Sequence, residues 1–191
     1  MTEHWLVGNQ AAVAAERILD AAGICFARQG VARTSIGDIA TAAGCSRPTV
    51  YRYFADRDAL RQAFMHREAR RLSQSVAMGI REIDDPGRRV VEAVLISLQG
   101  VRANPVLAAW FTSDDGAATT ELAGASPIIA SLTESLLPPG DPDGSARAQW
   151  VVRIILSLLL LPGGDEREER QLLERFVVPV VAPIAASSAS A

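Results

Sequence analysis

The 191-residue sequence has no lysine, only two histidines and only two cysteines. Two cysteines are too few for a disulfide framework, and neither histidine stands at metal-ligand spacing from a cysteine or a pair of acids. A phosphate-binding loop and a dinucleotide fingerprint are also missing from the sequence. We therefore expect no disulfide, no metal and no cofactor. Every cationic side-chain contact above neutral pH must come from one of the 19 arginines.

A leader and a membrane span are missing as well. Residues 1–9 have no basic region and no long apolar run, so they do not have the pattern of a signal peptide. The longest apolar stretch, Val151–Leu161, is interrupted by Arg153 and Ser157. At about 1.5 Å per residue, this stretch is too short for a hydrocarbon core of about 30 Å. These observations predict a cytoplasmic protein with no membrane partner.

Charge is distributed unevenly along the chain. Hydrophobic residues make up 49% and charged residues 21%, as in a globular protein with a substantial core, and the formal net charge is −3. Residues 26–71, however, carry a net charge of +5, against −6 for residues 72–191. An acidic protein can hold a polyanion through such a basic segment. A solvated helix face with scattered arginines would give the same count, so charge alone leaves both interpretations open.

Apolar residues recur at helical spacing along the chain, and no stretch alternates apolar and polar residues as a strand would. The pattern predicts an all-α fold of about nine helices. The first helix should run from about Asn9 to Gln29, with Val13 on its inner side, and end at Gly30. Residues 1–8 and 187–191 should be loose. Residues suited to cap a helix predict the other helix starts at Thr34 or Ser35, Ser46, Asp56, Asp85, Asn104, Ser126, Asp141 and Asp165.

Two short predicted helices, Thr34–Ala43 and Ser46–Phe54, are joined by a turn at Gly44 in the form of a helix-turn-helix. Val50 and Phe54 are four residues apart and should anchor the second helix. At about 100° per residue, the remaining positions point away from this anchor. The outward positions are Pro48, Thr49 and Arg52, flanked by Tyr51 and Tyr53. A recognition helix needs this arrangement, because its centre faces base edges while flanking hydroxyls reach phosphates. Two packed helices with surface aromatics are the alternative.

The string TSIGDIATAAGCSRPTVYRYFADRDAL, residues 34–60, resembles the DNA-binding signature of the tetracycline-repressor (TetR) family of bacterial regulators. The matching positions are Thr34, Ile39-Ala40, Ala43-Gly44, Ser46, Thr49, Tyr51, Tyr53-Phe54, Asp56-Arg57-Asp58 and Leu60. Three positions depart from the usual pattern: Cys45 replaces a small aliphatic residue, Pro48 replaces Gly or Ala, and Arg57 replaces Lys. The arginine keeps the charge but changes the geometry toward phosphate, and the proline fits the first helical turn.

This resemblance implies a homodimeric repressor that binds a palindromic operator in double-stranded DNA. It implies a helix-turn-helix domain over residues 1–55, followed by a ligand-binding and dimerisation domain over residues 56–191. A small apolar or aromatic effector would release the DNA. The family analogy makes Thr34, Tyr51, Tyr53 and Arg57 phosphate contacts, and charge adds Arg33. The other predicted members of the DNA interface are Ser46, which caps the recognition helix, and the groove candidates Arg47, Pro48, Thr49 and Arg52.

Apolar positions on the middle helices, with few polar groups among them, are the candidates for the effector pocket. They are Leu95, Leu98, Gln99, Leu107, Trp110, Phe111, Ile128, Leu132, Trp150, Arg153, Ile154 and Ser157. Each of them could instead be plain core. Arg153 lies in an apolar run, where an unpaired charge is costly. It should pair with a carboxylate such as Glu92 or Glu134, or meet an anionic ligand.

The last two long helices should form the dimer interface, by analogy with the family. The first of them, Pro142–Leu161, is apolar almost all round from Trp150 onward, which is typical of a helix buried on more than one side. The second carries an apolar row, and Pro179 must end or kink it. The interface candidates are Val151, Ile155, Leu172, Leu173, Phe176, Val177 and Val180. A monomer whose core uses these residues is the alternative.

The sequence leaves two other classes of protein open. An all-helical enzyme using the same pocket needs a nucleophile or base with a positioned partner, and no Ser, Cys or His constellation close in sequence offers one. A helical adaptor that binds protein would explain the dimer face but not the basic segment. Retention on heparin that is lost at moderate salt would separate a DNA-binding protein from both.

Overall fold

The computed structural model describes residues 3–112, 116–137 and 142–182, which form ten helices and no strand. The prediction of an all-α fold is therefore confirmed. Within these residues no single helix is long and apolar enough to cross a membrane. Only the bent pair Pro86–Ala103 and Pro105–Phe111, taken together, matches a membrane span by length and composition. The helices are α1 Glu3–Gln29, α2 Ile36–Ala43, α3 Arg47–Tyr53, α4 Arg57–Gly79, α5 Pro86–Ala103, α6 Pro105–Thr112, α7 Gly116–Gly124, α8 Pro127–Glu134, α9 Gly144–Leu160 and α10. The last, α10, joins an α-helical segment Glu166–Leu172, a π turn Leu173–Val177 and a segment Val178–Val181.

Most of the predicted helix starts are confirmed by capping hydrogen bonds. The Ser35 hydroxyl accepts a bond from the backbone N–H of Asp38, whose carboxylate in turn accepts one from the N–H of Ser35. This reciprocal pair is a capping box, and it satisfies two donors that the helix itself leaves unpaired. Side chains that accept a backbone N–H at the other predicted starts are Ser46, Asp56, Asp85, Asn104, Ser126 and Asp165.

Three local predictions need correction or lie outside the described residues. The first helix begins at Glu3 and not near Asn9, because residues 3–8 contain no proline and a single glycine costs a helix only about 1 kcal/mol. Val13, predicted to face inward, is 56% exposed. The predicted start at Asp141 lies outside the described residues, and α9 begins at Gly144.

By their contacts, the described residues divide into two compact units. The first contains the chain up to Glu68 together with Asn104–Thr119, and the second contains Ala69–Ala103 together with the chain from Thr120 onward. Residues 56–68, 104–112 and 116–119 thus belong to the same unit as the helix-turn-helix, whereas the predicted effector-binding domain begins at residue 56. The helix α4 contributes residues to both units.

Three aromatic rings form the centre of the first unit. Phe26 of α1 meets Phe64 of α4 edge to face at 5.2 Å between ring centroids, and meets Trp110 of α6 in the same way at 5.4 Å. Phe64 and Trp110 are stacked at 5.8 Å. Such pairs add about 0.5–1.5 kcal/mol each beyond the area they bury. Because the three rings come from three helices, this cluster fixes α1, α4 and α6 against one another within the unit.

The core of the second unit joins α5, α9 and α10. Leu95 and Leu98 of α5 pack in one cluster with Val151, Leu173 and Val177. The backbone N–H of Val178 donates to the carbonyl of Leu173, five residues earlier, and Pro179 follows directly. Because proline has no N–H, a break in the regular helical ladder is expected there. Pro179 is predicted to end or kink the helix, but it does not end it, because the segment Val178–Val181 continues past it; the irregularity beside the proline is a π turn.

Replacing Gly44 with alanine should destabilise the protein by about 1 kcal/mol, because Gly44 caps α2 with φ = +68°, a conformation that disfavours a side chain. A Cβ there would have no atom within 4 Å, so backbone strain is the whole cost. Urea unfolding measures the change. The control is Gly124→Ala, whose Cβ would meet Leu156 at an ordinary 3.7 Å and which should be neutral or stabilising. Equal effects at the two positions would contradict the argument.

Candidate nucleic-acid interface

The turn between α2 and α3 has the geometry of a helix-turn-helix. Gly44 ends α2 in the left-handed conformation, and the N–H of Cys45 donates to the carbonyl of Ala40 at 2.9 Å. Val50 is fully buried, and Phe54 and Ile39 are also buried, which confirms the predicted anchor of α3. The opposite face of α3 is therefore held toward solvent by packing behind it.

That outward face carries the residues predicted to meet DNA. Arg47, Pro48 and Arg52 are exposed, and Tyr51 is 50% exposed. Tyr53 is half-buried, and its hydroxyl accepts a bond from the Arg52 guanidinium at 3.3 Å while that guanidinium also lies over its ring. Thr49 is half-buried, with its hydroxyl 2.9 Å from that of Ser46. The exposed face thus presents two guanidinium groups and two phenol groups on a helix of seven residues.

Arg47 lies directly against α2 as well as on α3. A Cβ on Gly37 would collide with the Arg47 guanidinium, so the glycine makes room for that arginine to cross α2. The hydroxyl and backbone N–H of Ser35 lower the pKa of the Asp38 carboxyl, with smaller contributions from Gln29 and from the charge of Arg47. The capping box and the first arginine of α3 are therefore neighbours.

Three other residues predicted to contact phosphate form hydrogen bonds to backbone carbonyls at the turn between α1 and α2. The Thr34 hydroxyl donates to the Gly30 carbonyl at 2.7 Å, and Thr34 is only 1% exposed. Arg33 donates through Nε to the Gln29 carbonyl at 2.9 Å. Arg57 donates through Nη2 to the carbonyls of Val31, at 2.8 Å, and Ala32. Sequence reasoning could not find the Arg57 bonds, because only the folded turn brings residue 57 to residues 31 and 32.

The predicted effector residues are distributed over both units. Those in the second unit's core are Leu95 and Leu98, with Ile154 packed against them. Gln99 donates to Glu166 at 2.8 Å. Leu107, Trp110 and Phe111 belong to the first unit. Leu132 is half-buried, and Ile128 and Trp150 are exposed. Arg153 and Ser157 are brought together, on the wall of one cleft.

This cleft lies between α7 and α9 and has a volume of about 570 Å³. Its walls include Leu156 and Leu160, with Glu121 and Arg153 as charged groups. The predicted pairing of Arg153 with Glu92 is wrong, because Glu92 pairs with Arg170 at 2.6 Å. Arg153 is exposed, and among the described residues no carboxylate forms an ion pair with it. It therefore escapes the cost of a buried charge and is available to a ligand.

Four buried side-chain atoms in the first unit lack a hydrogen-bond partner among the described residues. They are Nε of Arg57, Nε of Arg61, the indole N–H of Trp110 and the hydroxyl of Thr119. Leaving such a group unpaired costs about 1–3 kcal/mol. An acceptor atom on a bound molecule would recover this energy at Trp110, which is one of the predicted effector contacts.

The predicted dimer residues divide into two rows on α10. Leu173 and Val177 face the core of the same chain together with Val151 of α9, and Ile155 packs against that core. Leu172, Phe176 and Val180 are 40%, 60% and 56% exposed. Both rows repeat every four residues through the π turn. The exposed row is an apolar surface without cover in the isolated chain.

Comparison with known proteins places this geometry in a family. The family model of bacterial regulatory proteins, tetR family, matches residues 18–64. The HTH-type transcriptional regulator MT1294 of Mycobacterium tuberculosis (strain CDC 1551 / Oshkosh) is 44% identical over 191 residues, covering 98% of this chain and 95% of that protein. Among solved structures, the TetR family repressor AlkX from Dietzia sp. strain DQ12-45-1b, implicated in biodegradation of n-alkanes, gives a TM-score of 0.65 at 20% identity, over 86% of this chain and 96% of that one. The structure of RolR in complex with resorcinol gives a TM-score of 0.73 at 16% identity, over 94% of this chain and 92% of that one.

Proposed function

The chain belongs to the tetR family of bacterial regulatory proteins, and from this we propose that it is a cytoplasmic repressor that binds a palindromic operator as a homodimer. We further propose that a small apolar or aromatic effector releases it from the DNA. The protein is a transcriptional regulator and not an enzyme. The observation that carries the proposal is the outward face of α3, where Arg47, Arg52 and Tyr51 are exposed and the helix is anchored from behind.

Within the proposed interface, Arg47, Pro48, Thr49 and Arg52 meet the major groove. Arginine binds guanine edges through two parallel hydrogen bonds, so two exposed guanidinium groups on a short helix suit sequence reading. Tyr51, Tyr53 and Ser46 lie at its margins and contact the backbone. Arg33 and Arg57 stabilise the turn between α1 and α2 through hydrogen bonds to backbone carbonyls, and their other N–H groups contact phosphate. Thr34 is left out of the proposed interface, because its hydroxyl is buried and engaged.

The proposed dimer uses the exposed row on α10 and the adjoining side of α9. Trp150 of α9 is 42% exposed, and Leu161, directly after the end of α9, is 76% exposed. Two such helices from each protomer would form a four-helix interface in which both apolar sides are covered. The other predicted dimer residues pack in the core of the same protomer, behind this surface; they are Val151, Ile155, Leu173 and Val177.

The proposed effector is an apolar or aromatic molecule with an acceptor atom. The cleft between α7 and α9 offers leucine walls and the guanidinium of Arg153, which suits this chemistry. The structure of RolR with resorcinol, an aromatic compound, adds support from a protein of the same fold.

Selection of bound duplexes from a random DNA pool tests the proposal. We expect enrichment of a palindrome, since a two-fold symmetric dimer presents two α3 helices. Arg52→Ala should relax preference at specific base pairs, at a cost of about 1–3 kcal/mol for each lost base contact. The control is Arg88→Ala, an exposed arginine on α5. A pool that shows no enrichment, with weak retention that is the same for all sequences, would contradict the proposal and favour a protein-binding adaptor.

A further inference from the structure

A groove of about 390 Å³ lies beside the start of α3. One wall is formed by Val13, Ala14 and Ile18 of α1, and the other by Gly44, Cys45 and Thr49. Val13 is 56% exposed, although it stands in the middle of a long helix that packs against α2. The groove therefore presents an apolar floor to solvent at the end of the unit where α3 begins.

Arg17 is the charged group of this groove, and Gln10 is its other polar group on α1. Arg17 is exposed, and among the described side chains no carboxylate forms an ion pair with it. The two acids closest to it on α1 are engaged elsewhere: Arg67 of α4 binds Glu16 at 3.2 Å and Asp20 at 2.8 Å. The positive charge of Arg17 is thus left to act at the groove.

We propose that this groove receives the sugar-phosphate backbone of the operator, and that Arg17 binds a phosphate there. The proposal rests on the proposed DNA binding of α3, because Thr49 belongs both to the groove wall and to the proposed reading face. A duplex that reaches Thr49 brings its backbone over the groove mouth. Arg17 matches the phosphate in charge and geometry, and the exposed Val13 offers an apolar surface to a deoxyribose. Arg17 lies outside the string that carries the family signature, so sequence reasoning did not select it.

The first arm of the test measures operator affinity at several salt concentrations. Arg17→Ala should weaken binding to all sequences about equally, by roughly tenfold per head. It should also reduce the slope of log affinity against log salt by about one unit per head. Arg17→Lys should restore most of the slope, because it keeps the charge. Arg88→Ala, which removes an exposed arginine of the second unit, should change neither quantity.

The second arm uses the reactivity of Cys45, which lines the groove, to measure whether bound DNA covers the groove. Iodoacetamide should alkylate Cys45 in the free full-length protein, and a Cys45→Ser variant identifies its signal. Cys25 is buried, and burial raises the pKa of its thiol, so it should react slowly. Operator duplex should slow alkylation of Cys45 in proportion to the fraction of protein bound.

Band-shift titration on the same samples separates the two hypotheses. If operator binds but Cys45 reacts at its free rate, or if Arg17→Ala leaves the salt slope unchanged, the groove assignment is wrong and the proposed function stands. If no duplex from the selected pool binds, the proposed function fails, and the groove assignment fails with it. Protection of Cys45 together with a reduced slope in Arg17→Ala supports the proposal.

Discussion

Replacing Glu169 with alanine should lower the free energy of unfolding by about 3 kcal/mol, the low end for breaking a buried ion pair. The Glu169 side chain is 2% exposed and receives two hydrogen bonds from Arg102, at 2.7 and 2.9 Å, and a third from the Gly163 N–H at 3.1 Å. Its removal leaves these donors without this acceptor and removes one of the links between α5 and the start of α10. Urea unfolding followed by circular dichroism measures the change, and Glu174→Ala, an exposed acid of the same helix, should stay within about 0.5 kcal/mol.

The same carboxylate should make stability depend on acid pH. Hydrogen bonds from Arg102 lower the pKa of Glu169 below its ordinary value, against the opposing effect of burial. A lowered pKa in the folded state contributes stability above the unfolded value, about 4.3, and this stability is lost as pH falls through the folded value. The penalty of Glu169→Gln should therefore be largest near neutral pH and shrink on acidification. A penalty that stays constant down to pH 3 would contradict this linkage.

The sequence predicted the helix-turn-helix well because its determinants are local. Ser35 and Ser46 cap helices through bonds to residues three positions away, and Gly44 supplies the positive φ that ends α2. The four-residue spacing of Val50 and Phe54 is enough to orient α3. Each of these features depends on a few consecutive residues, so the string itself contains the information.

The direction of each apolar row in the second unit could not be predicted in this way. Leu172 and Leu173 are neighbours of the same type, yet Leu172 is exposed and Leu173 is buried. The width of an apolar stripe does not determine which of its residues pack in the protein's own core and which remain exposed to a partner. Arg153 is a similar case, because its expected partner Glu92 is used by Arg170, which is 78 residues away in the chain. Both outcomes depend on the packing of distant segments.

The largest effect on assembly should come from Phe176→Arg. Phe176 is 60% exposed at the centre of the apolar row on α10, so the protomer should tolerate the arginine. In the proposed dimer the two-fold axis places two copies of this charge in an apolar interface. With about 2 kcal/mol or more lost per copy, dimer affinity should fall by roughly 1000-fold. Sedimentation velocity across a dilution series measures this, and operator affinity should fall with it, because separate heads bind half-sites independently.

Two further variants make this result specific to the exposed row. Gln171→Arg adds the same charge at an exposed position of the same helix and should leave the dimer intact. Leu173→Ala removes a core side chain on the buried row, so it should lower protomer stability by about 2–5 kcal/mol and affect assembly only through that loss. A Phe176→Arg protein that sediments as a stable dimer at the dilutions where the wild type does would place the interface elsewhere. A Gln171→Arg protein that dissociates as readily would show that added charge, and not the loss of the apolar row, drives the change.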